Sequence, residues 1–180
     1  MPDFKVKSTV HDYEVQFIDD SKQILTRELK EGDVVIIDNK VRTLYPNILN
    51  GVSKRNVVLG IDVNEQQKSY HGIIPILEKL IAGGFRRNHR LVGIGGGITQ
   101  DITAFTSAII YRGVSWLFFP TTLLAQGDSC IGSKTSINFG EFKNQVGGFY
   151  PPNGIYIDLN FLDTLSKSEL QSGLGEMSHY

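Results

Sequence analysis

At 180 residues, the chain can hold one full domain and the start of a second. A net charge of −1 removes any electrostatic case for nucleic acid or an anionic membrane as partner, and a single cysteine, Cys130, excludes an internal disulfide and fits a reducing compartment. No apolar run approaches the roughly 20 residues of a membrane span, and residues 1–15 lack the apolar centre of a signal peptide, so a cytoplasmic α/β protein is expected.

Along the chain, residues 12–28 read as two short strands with a tight connection. Tyr13, Val15 and Phe17 alternate with polar neighbours, Asp19, Asp20 and Ser21 supply turn chemistry, and Ile24 and Leu25 resume the apolar pattern. Val34–Ile37, Val57–Leu59, Leu91–Ile94, Trp116–Phe119 and Ile155–Ile157 are short continuous apolar runs, the pattern of parallel strands covered on both faces. Between them, Ile73, Ile76, Leu77, Leu80 and Ile81 recur at helical spacing, with Pro75 assigned to the first turn and Gly83-Gly84 to the end. Residues 101–111 form a second helix through Ile102, Phe105, Ile109 and Ile110. Residues 166–180 read as helix onset, capped by Ser166 or Ser168, with an apolar face that needs something to pack against. The alternation predicts a mostly parallel, Rossmann-like sheet with flanking helices over 1–160, followed by the start of an α-helical domain over 161–180.

Two stretches carry chemistry. Gly95-Gly96-Gly97-Ile98-Thr99-Gln100-Asp101 follows a strand and opens a helix, where glycines admit a close ligand and free N–H groups favour phosphate. The spacing is not GxGxxG, so a purely structural turn stays open, with Asp101 a simple partner of the helix dipole. The second stretch runs from Pro120-Thr121-Thr122 through Asp128-Ser129, Lys134-Thr135 and Asn138 to Lys143-Asn144 and Gly147-Gly148-Phe149. Hydroxyls, carboxylates and lysines past a strand's carboxyl end are where open α/β sheets bind ligands, and a solvated loop with surface lysines is the plain alternative.

The run PTTLLAQGDSCIGSKTSIN, followed by KNQVGGFYPPNGIYID, resembles the central block of the 3-dehydroquinate synthases and their sugar phosphate cyclase relatives, whose pattern is PTTLLAxxDSxxGxKTxxN, then KNxxGxFxxPxxxxxD. Glu65 and Lys68 match the family's GExxKS, GGGITQD its GGGxxxD, Tyr111-Arg112-Gly113 its YxRG, and Gly173–Glu176 its GLAE, so the resemblance covers residues 34–180. It implies a lyase that depends on NAD and a divalent metal, zinc or cobalt. The sugar-phosphate substrate is oxidised transiently, loses phosphate, is reduced again and closes to a carbocycle. By position, Asp38, Glu65, Lys68, Gly96, Gly97, Asp101, Thr121, Thr122, Ser129, Lys143, Phe161 and Thr164 would line the NAD site. Asp128, Lys134 and Asn144 would face both the nicotinamide end and the substrate. Arg112 would reach substrate phosphate, often across a homodimer interface, and Glu176 would be the first metal ligand, the family's two histidine ligands lying beyond these 180 residues.

The chain departs from the pattern at several points. His179 stands where the family has a substrate-facing lysine, and its ExxH spacing from Glu176 leaves a minor metal role open. Gly127 stands for a common valine, Ser133 and Ser136 for common glycines, and Lys40 for a small polar residue in the NAD site. His11, His71 and His89 show no metal spacing, Cys130 reads as a small filler, and Arg86-Arg87 reads as solvated. The leading expectation is 3-dehydroquinate synthase. A cyclase for another substrate such as sedoheptulose 7-phosphate, an iron- or zinc-type alcohol dehydrogenase relative and a non-catalytic NAD-binding module are the alternatives. The alcohol dehydrogenases share the glycine turn and the PTT segment but lack the DSxxGxKT and KNxxGxF blocks. The 180 residues by themselves are expected to be inactive.

Overall fold

The computed structural model describes residues 3–52 and 56–178. In chain order the elements are β1 (Phe4–Val6), β2 (Tyr13–Ile18), α1 (Ser21–Glu28), β3 (Val34–Asp38), α2 (Asn39–Leu44) and β4 (Val57–Ile61). Then come α3 (Tyr70–Ala82), β5 (Leu91–Gly95), α4 (Gly97–Ile109), β6 (Trp116–Pro120), β7 (Lys134–Phe139), β8 (Phe142–Phe149), β9 (Gly154–Asp158) and α5 (Lys167–Met177). Short 3₁₀ turns cover Ile110–Arg112 and Leu159–Thr164, and a π turn covers Ala125–Ser129.

Seven strands form one sheet in the order β1-β2-β9-β6-β5-β3-β4. Only the β1–β2 pairing is antiparallel; the other strands run parallel. The apolar runs are continuous because the inner strands are covered on both faces. Val34, Ile36, Trp116 and Phe118 pack with Ile73, Leu80 and Ile102 on one side, while Val35, Ile37, Leu117 and Phe119 pack with Ile24, Leu25 and Phe161 on the other. Each such fully buried side chain contributes about 2 kcal/mol of burial free energy. β4 departs from that expectation: it is the sheet edge, and Val57 is 45% exposed.

The second half of residues 12–28 is a helix rather than a strand. Asp20 caps α1, accepting from the Gln23 amide at 3.1 Å, and Ile24 and Leu25 face inward together. Ser21 fixes the start by donating its amide and hydroxyl to Asp158 Oδ2 at 2.9 and 2.7 Å. An adjacent apolar pair beside turn residues suits a helix cap as well as a strand, and tertiary contact decided it. Helix α4 begins at Gly97, inside the glycine run, and not at residue 101. Ser69 caps α3, which puts Pro75 in the second turn, where it cannot donate to the helix ladder. The glycine-punctuated stretch after residue 133 is an antiparallel hairpin, β7–β8, laid across α4 with a register shift between Ile137 and Phe139. Among the described residues no helix is long and apolar enough to cross a membrane.

Candidate active site

The parallel strands deliver Asp38, Gly95, Pro120 and Asp158 to one edge of the sheet, the carboxyl edge where α/β sheets open toward ligands. At its centre the Thr121 amide donates to the Gly95 carbonyl at 2.9 Å, which locks the PTT segment against the glycine turn. The first helical bond of α4 is Gln100 N to Gly96 O at 3.0 Å, and Gly96 offers no side-chain cap. The amides of Gly97, Ile98 and Thr99 therefore have no helical acceptor, at the positive end of a 13-residue helix. A methyl on Gly96 would lie 2.9 Å from Thr122 Cγ2, whereas one on Gly97 would meet nothing nearer than Ser129 Oγ at 3.8 Å. Open space before an uncapped helix start is the arrangement that favours a phosphate group, such as those of a dinucleotide.

Two pockets flank the turn. One, of about 550 Å³, lies between α4 and the hairpin, and Lys68, Asp101, Asp128, Lys134, Asn144 and Gly148 are on its wall. Lys68 is buried, and its Nζ lies 2.5 Å from Asp101 Oδ2 and donates to Asn144 Oδ1 at 2.5 Å. Burial pushes the Asp101 carboxyl above its ordinary range, and the Lys68 ammonium opposes the shift. Asn144, held at φ +56°, also accepts from Ser136 Oγ at 3.2 Å and donates its amide to Asn138 Oδ1 at 2.9 Å. Lys134 is exposed into the pocket. Ser129 donates to Gln100 Oε1 at 2.9 Å, and Gln100 Nε2 donates back to the Ser129 carbonyl at 2.6 Å, tying the π turn to α4.

The other pocket, of about 40 Å³, joins Asp38, Lys40, Thr121, Thr122, Thr164 and Glu169. Asp38 caps α2, accepting from the Lys40 amide at 2.8 Å, and burial raises its carboxyl. Phe161 stacks edge-on against Tyr45 at 5.0 Å, and Tyr45 and Thr164 share a hydroxyl hydrogen bond of 2.8 Å.

Other expected site residues lie apart from these pockets. Glu65 accepts from Asn138 Nδ2 at 2.8 Å behind the Lys68 pair, and Lys143 is exposed on β8. Arg112 follows the far end of α4 at φ +63°. Glu176 is exposed on α5, and among the described residues no three His, Cys, Asp or Glu side chains converge. A zinc site takes three or four protein ligands, so the described residues do not form a metal site by themselves. His179 lies outside the described residues.

Residues 58–172 match the family model of the 3-dehydroquinate synthase N-terminal region. The chain belongs to the 3-dehydroquinate synthase family. A 3-dehydroquinate synthase of Streptococcus equi subsp. equi is 38% identical over 179 residues, covering 96% of this chain and 50% of the relative. One from Helicobacter pylori strain P12 is 38% identical over 152 residues, 83% of this chain and 44% of the relative. The chain thus spans about half the length of the curated relatives it matches. Among solved structures, a 2-epi-5-epi-valiolone synthase from Streptomyces hygroscopicus with NAD+ and Zn2+ bound is 28% identical, with a TM-score of 0.81 over 95% of this chain and 49% of that one. A 2-deoxy-scyllo-inosose synthase complexed with carbaglucose-6-phosphate, NAD+ and Co2+ shares the fold at a TM-score of 0.85 and 22% identity, over 96% of this chain and 49% of that one.

Two of this chain's departures from the family pattern are visible in the structure. Space at Gly127 is filled by Met177, whose Cε lies 3.0 Å from where a Cβ would stand, so α5 packs down on the π turn. Ser133 adopts φ +65°, a left-handed conformation that glycine adopts at no steric cost. Sequence reasoning missed Gln100 and Glu169. Their partners are 29 and 129 residues away, and although Ser166-x-x-Glu169 is a capping-box pattern, nothing local announces either long-range contact.

Proposed function

We propose that this chain is the nucleotide-binding part of a 3-dehydroquinate synthase, which converts 3-deoxy-arabino-heptulosonate 7-phosphate to 3-dehydroquinate in the shikimate route. One observation carries the reading: the open, uncapped start of α4 at Gly97 sits beside a polar pocket holding Asp101, Asp128, Lys134 and the buried Lys68. The relatives' names support the choice of substrate.

NAD, when bound, supplies reversible hydride transfer. The chain's residues do the positioning. The amides of Gly97 to Thr99 hold pyrophosphate, and Asp38 takes a ribose hydroxyl. Lys68, fixed by Asp101, holds the Asn144 amide in one orientation at the nicotinamide end. The exposed Lys134 ammonium pairs with an anionic group of the sugar phosphate, and Asp128 on the same wall holds a substrate hydroxyl. Glu176 is one ligand of a divalent ion whose other ligands lie outside the described residues. On this reading α5 opens a second, helical domain, the enzyme works in the cytoplasm as a homodimer, and Arg112 serves the partner's site. The 180 residues alone then bind NAD and release no phosphate.

The test is phosphate release by the full-length protein from the heptulosonate phosphate, with NAD and zinc present. Release with formation of dehydroquinate supports the synthase. NAD binding without release, and release instead from sedoheptulose 7-phosphate, would move the proposal to another cyclase.

A further inference from the structure

The smaller pocket contains an ion pair that the activity above does not require. Lys40, at the start of α2, donates from Nζ to Glu169 Oε1 on α5 at 2.6 Å, bridging two elements 129 residues apart. The same residue's backbone amide binds Asp38, the carboxylate at the end of β3. Asp62 stands nearby, accepting from Asn39 Nδ2 at 2.7 Å, and its charge and that of Glu169 both act on Asp38. The Lys40 ammonium is thus paired with Glu169, while its backbone amide holds Asp38 and the neighbouring Asn39 side chain holds Asp62. Glu169 is also fixed from its own side, because it closes the capping box of α5 with Ser166.

The acidic residue after a strand of this kind takes the 2′-hydroxyl of a nicotinamide dinucleotide, and a nearby free cation is what accommodates a 2′-phosphate. Lys40 is in the right place to be that cation, yet its ammonium is committed to Glu169. We propose that the Lys40–Glu169 pair sets the dinucleotide preference of this chain. With the pair intact, the ribose end accepts a free 2′-hydroxyl and rejects a 2′-phosphate; with Glu169 neutral, Lys40 turns to the phosphate. The proposal rests on the nucleotide reading of the site.

Glutamine at position 169 preserves the capping box, since either glutamate or glutamine can serve at the third helical position. The full-length protein, Glu169→Gln and the double variant Lys40→Asn/Glu169→Gln are titrated calorimetrically with NAD and with NADP. The ratio of the two affinities is the readout, because loosening the α2–α5 link alters access for both nucleotides alike. The native protein is expected to favour NAD, Glu169→Gln to narrow the gap by about tenfold through a gain for NADP, and the double variant to restore it. An unchanged ratio in Glu169→Gln, or a gain that survives loss of Lys40, overturns the proposal. A folded native protein that binds neither nucleotide would instead remove the nucleotide reading, and this proposal with it.

Discussion

Gly96 and Gly97 are neighbours that the fold uses differently. Gly96 is pressed against Thr122, so a methyl there would lie 2.9 Å from Cγ2. Gly97 faces open space. Gly96→Ala is therefore expected to destabilise by about 1–3 kcal/mol, the ordinary cost of overpacking, read in a denaturant titration. Gly97→Ala should leave stability unchanged or raise it by up to about 1 kcal/mol, because alanine restricts the unfolded chain and favours helix. Its methyl would stand on the open helix start proposed for pyrophosphate, so NAD affinity should fall about tenfold or more. A Gly97→Ala protein that binds NAD normally would show that pyrophosphate does not sit on this helix start. The Lys68–Asp101 pair offers a second separation. Asp101→Asn leaves a buried ammonium without its counter-charge and should cost about 3 kcal/mol, while Lys68→Met/Asp101→Asn, which removes both charges, should recover most of that loss. Thermal unfolding of native protein, Lys68→Met, Asp101→Asn and the double variant decides; a double variant as unstable as the sum of the two single losses would mean that the two charges do not stabilise each other.

At the scale of the element, α5 shows how local chemistry and long-range contact combine. Its capping box is legible in the sequence as Ser166 followed by Glu169, and Ser166→Ala is expected to cost about 1 kcal/mol. The link from Glu169 to Lys40 holds the Glu169 carboxyl at about 2, below its ordinary 4.5, with Ser166 adding to the effect. A lowered carboxyl stabilises the fold above its ordinary range, and that contribution disappears as pH falls from about 4.5 toward 2. Solvent screening of this exposed pair keeps the amount below about 1 kcal/mol. Native protein should therefore be the more stable of the two above about pH 4.5, and its advantage over Glu169→Gln should vanish as pH falls from there toward 2; identical curves would show that the ion pair does not hold α5 to α2. The same contrast explains which elements the sequence made legible. Val34–Ile37 and Trp116–Phe119 were readable because burial on both faces demands unbroken apolar runs. The helix at Ser21–Glu28 was not, because its register is set by Asp158, 137 residues away. The β7–β8 hairpin hid for a similar reason: its residues serve the pocket, and β8 is largely exposed, so its strand period is not written in apolar residues.

For the whole molecule, the parallel topology explains why the two informative motifs lie together. The glycine turn ends β5, the PTT segment ends β6, and these strands are adjacent in register from Leu91–Trp116 to Gly95–Pro120. Sequence order alone separates them; the sheet joins them, and each gains meaning from the other. Arg112 is the residue that the topology sends elsewhere. It lies past the opposite end of α4, about 20 Å along the helix from the glycine turn. Tyr111 and Arg112, both at positive φ, turn the chain outward there. On the proposed homodimer reading, an arginine at this position serves substrate phosphate in the partner's site. Subunit mixing tests this in the full-length protein. Arg112→Ala and Asp128→Asn should each abolish phosphate release while leaving NAD binding measurable. Co-assembled at equal amounts, half of the dimers pair one of each, and in those one site regains both an intact Asp128 and the partner's arginine. Release should return to about a quarter of the native rate, set by random pairing in a two-fold dimer. A mixture as inactive as its parents would place Arg112 in its own subunit's chemistry or outside the reaction, and the dimeric active site would have to be given up.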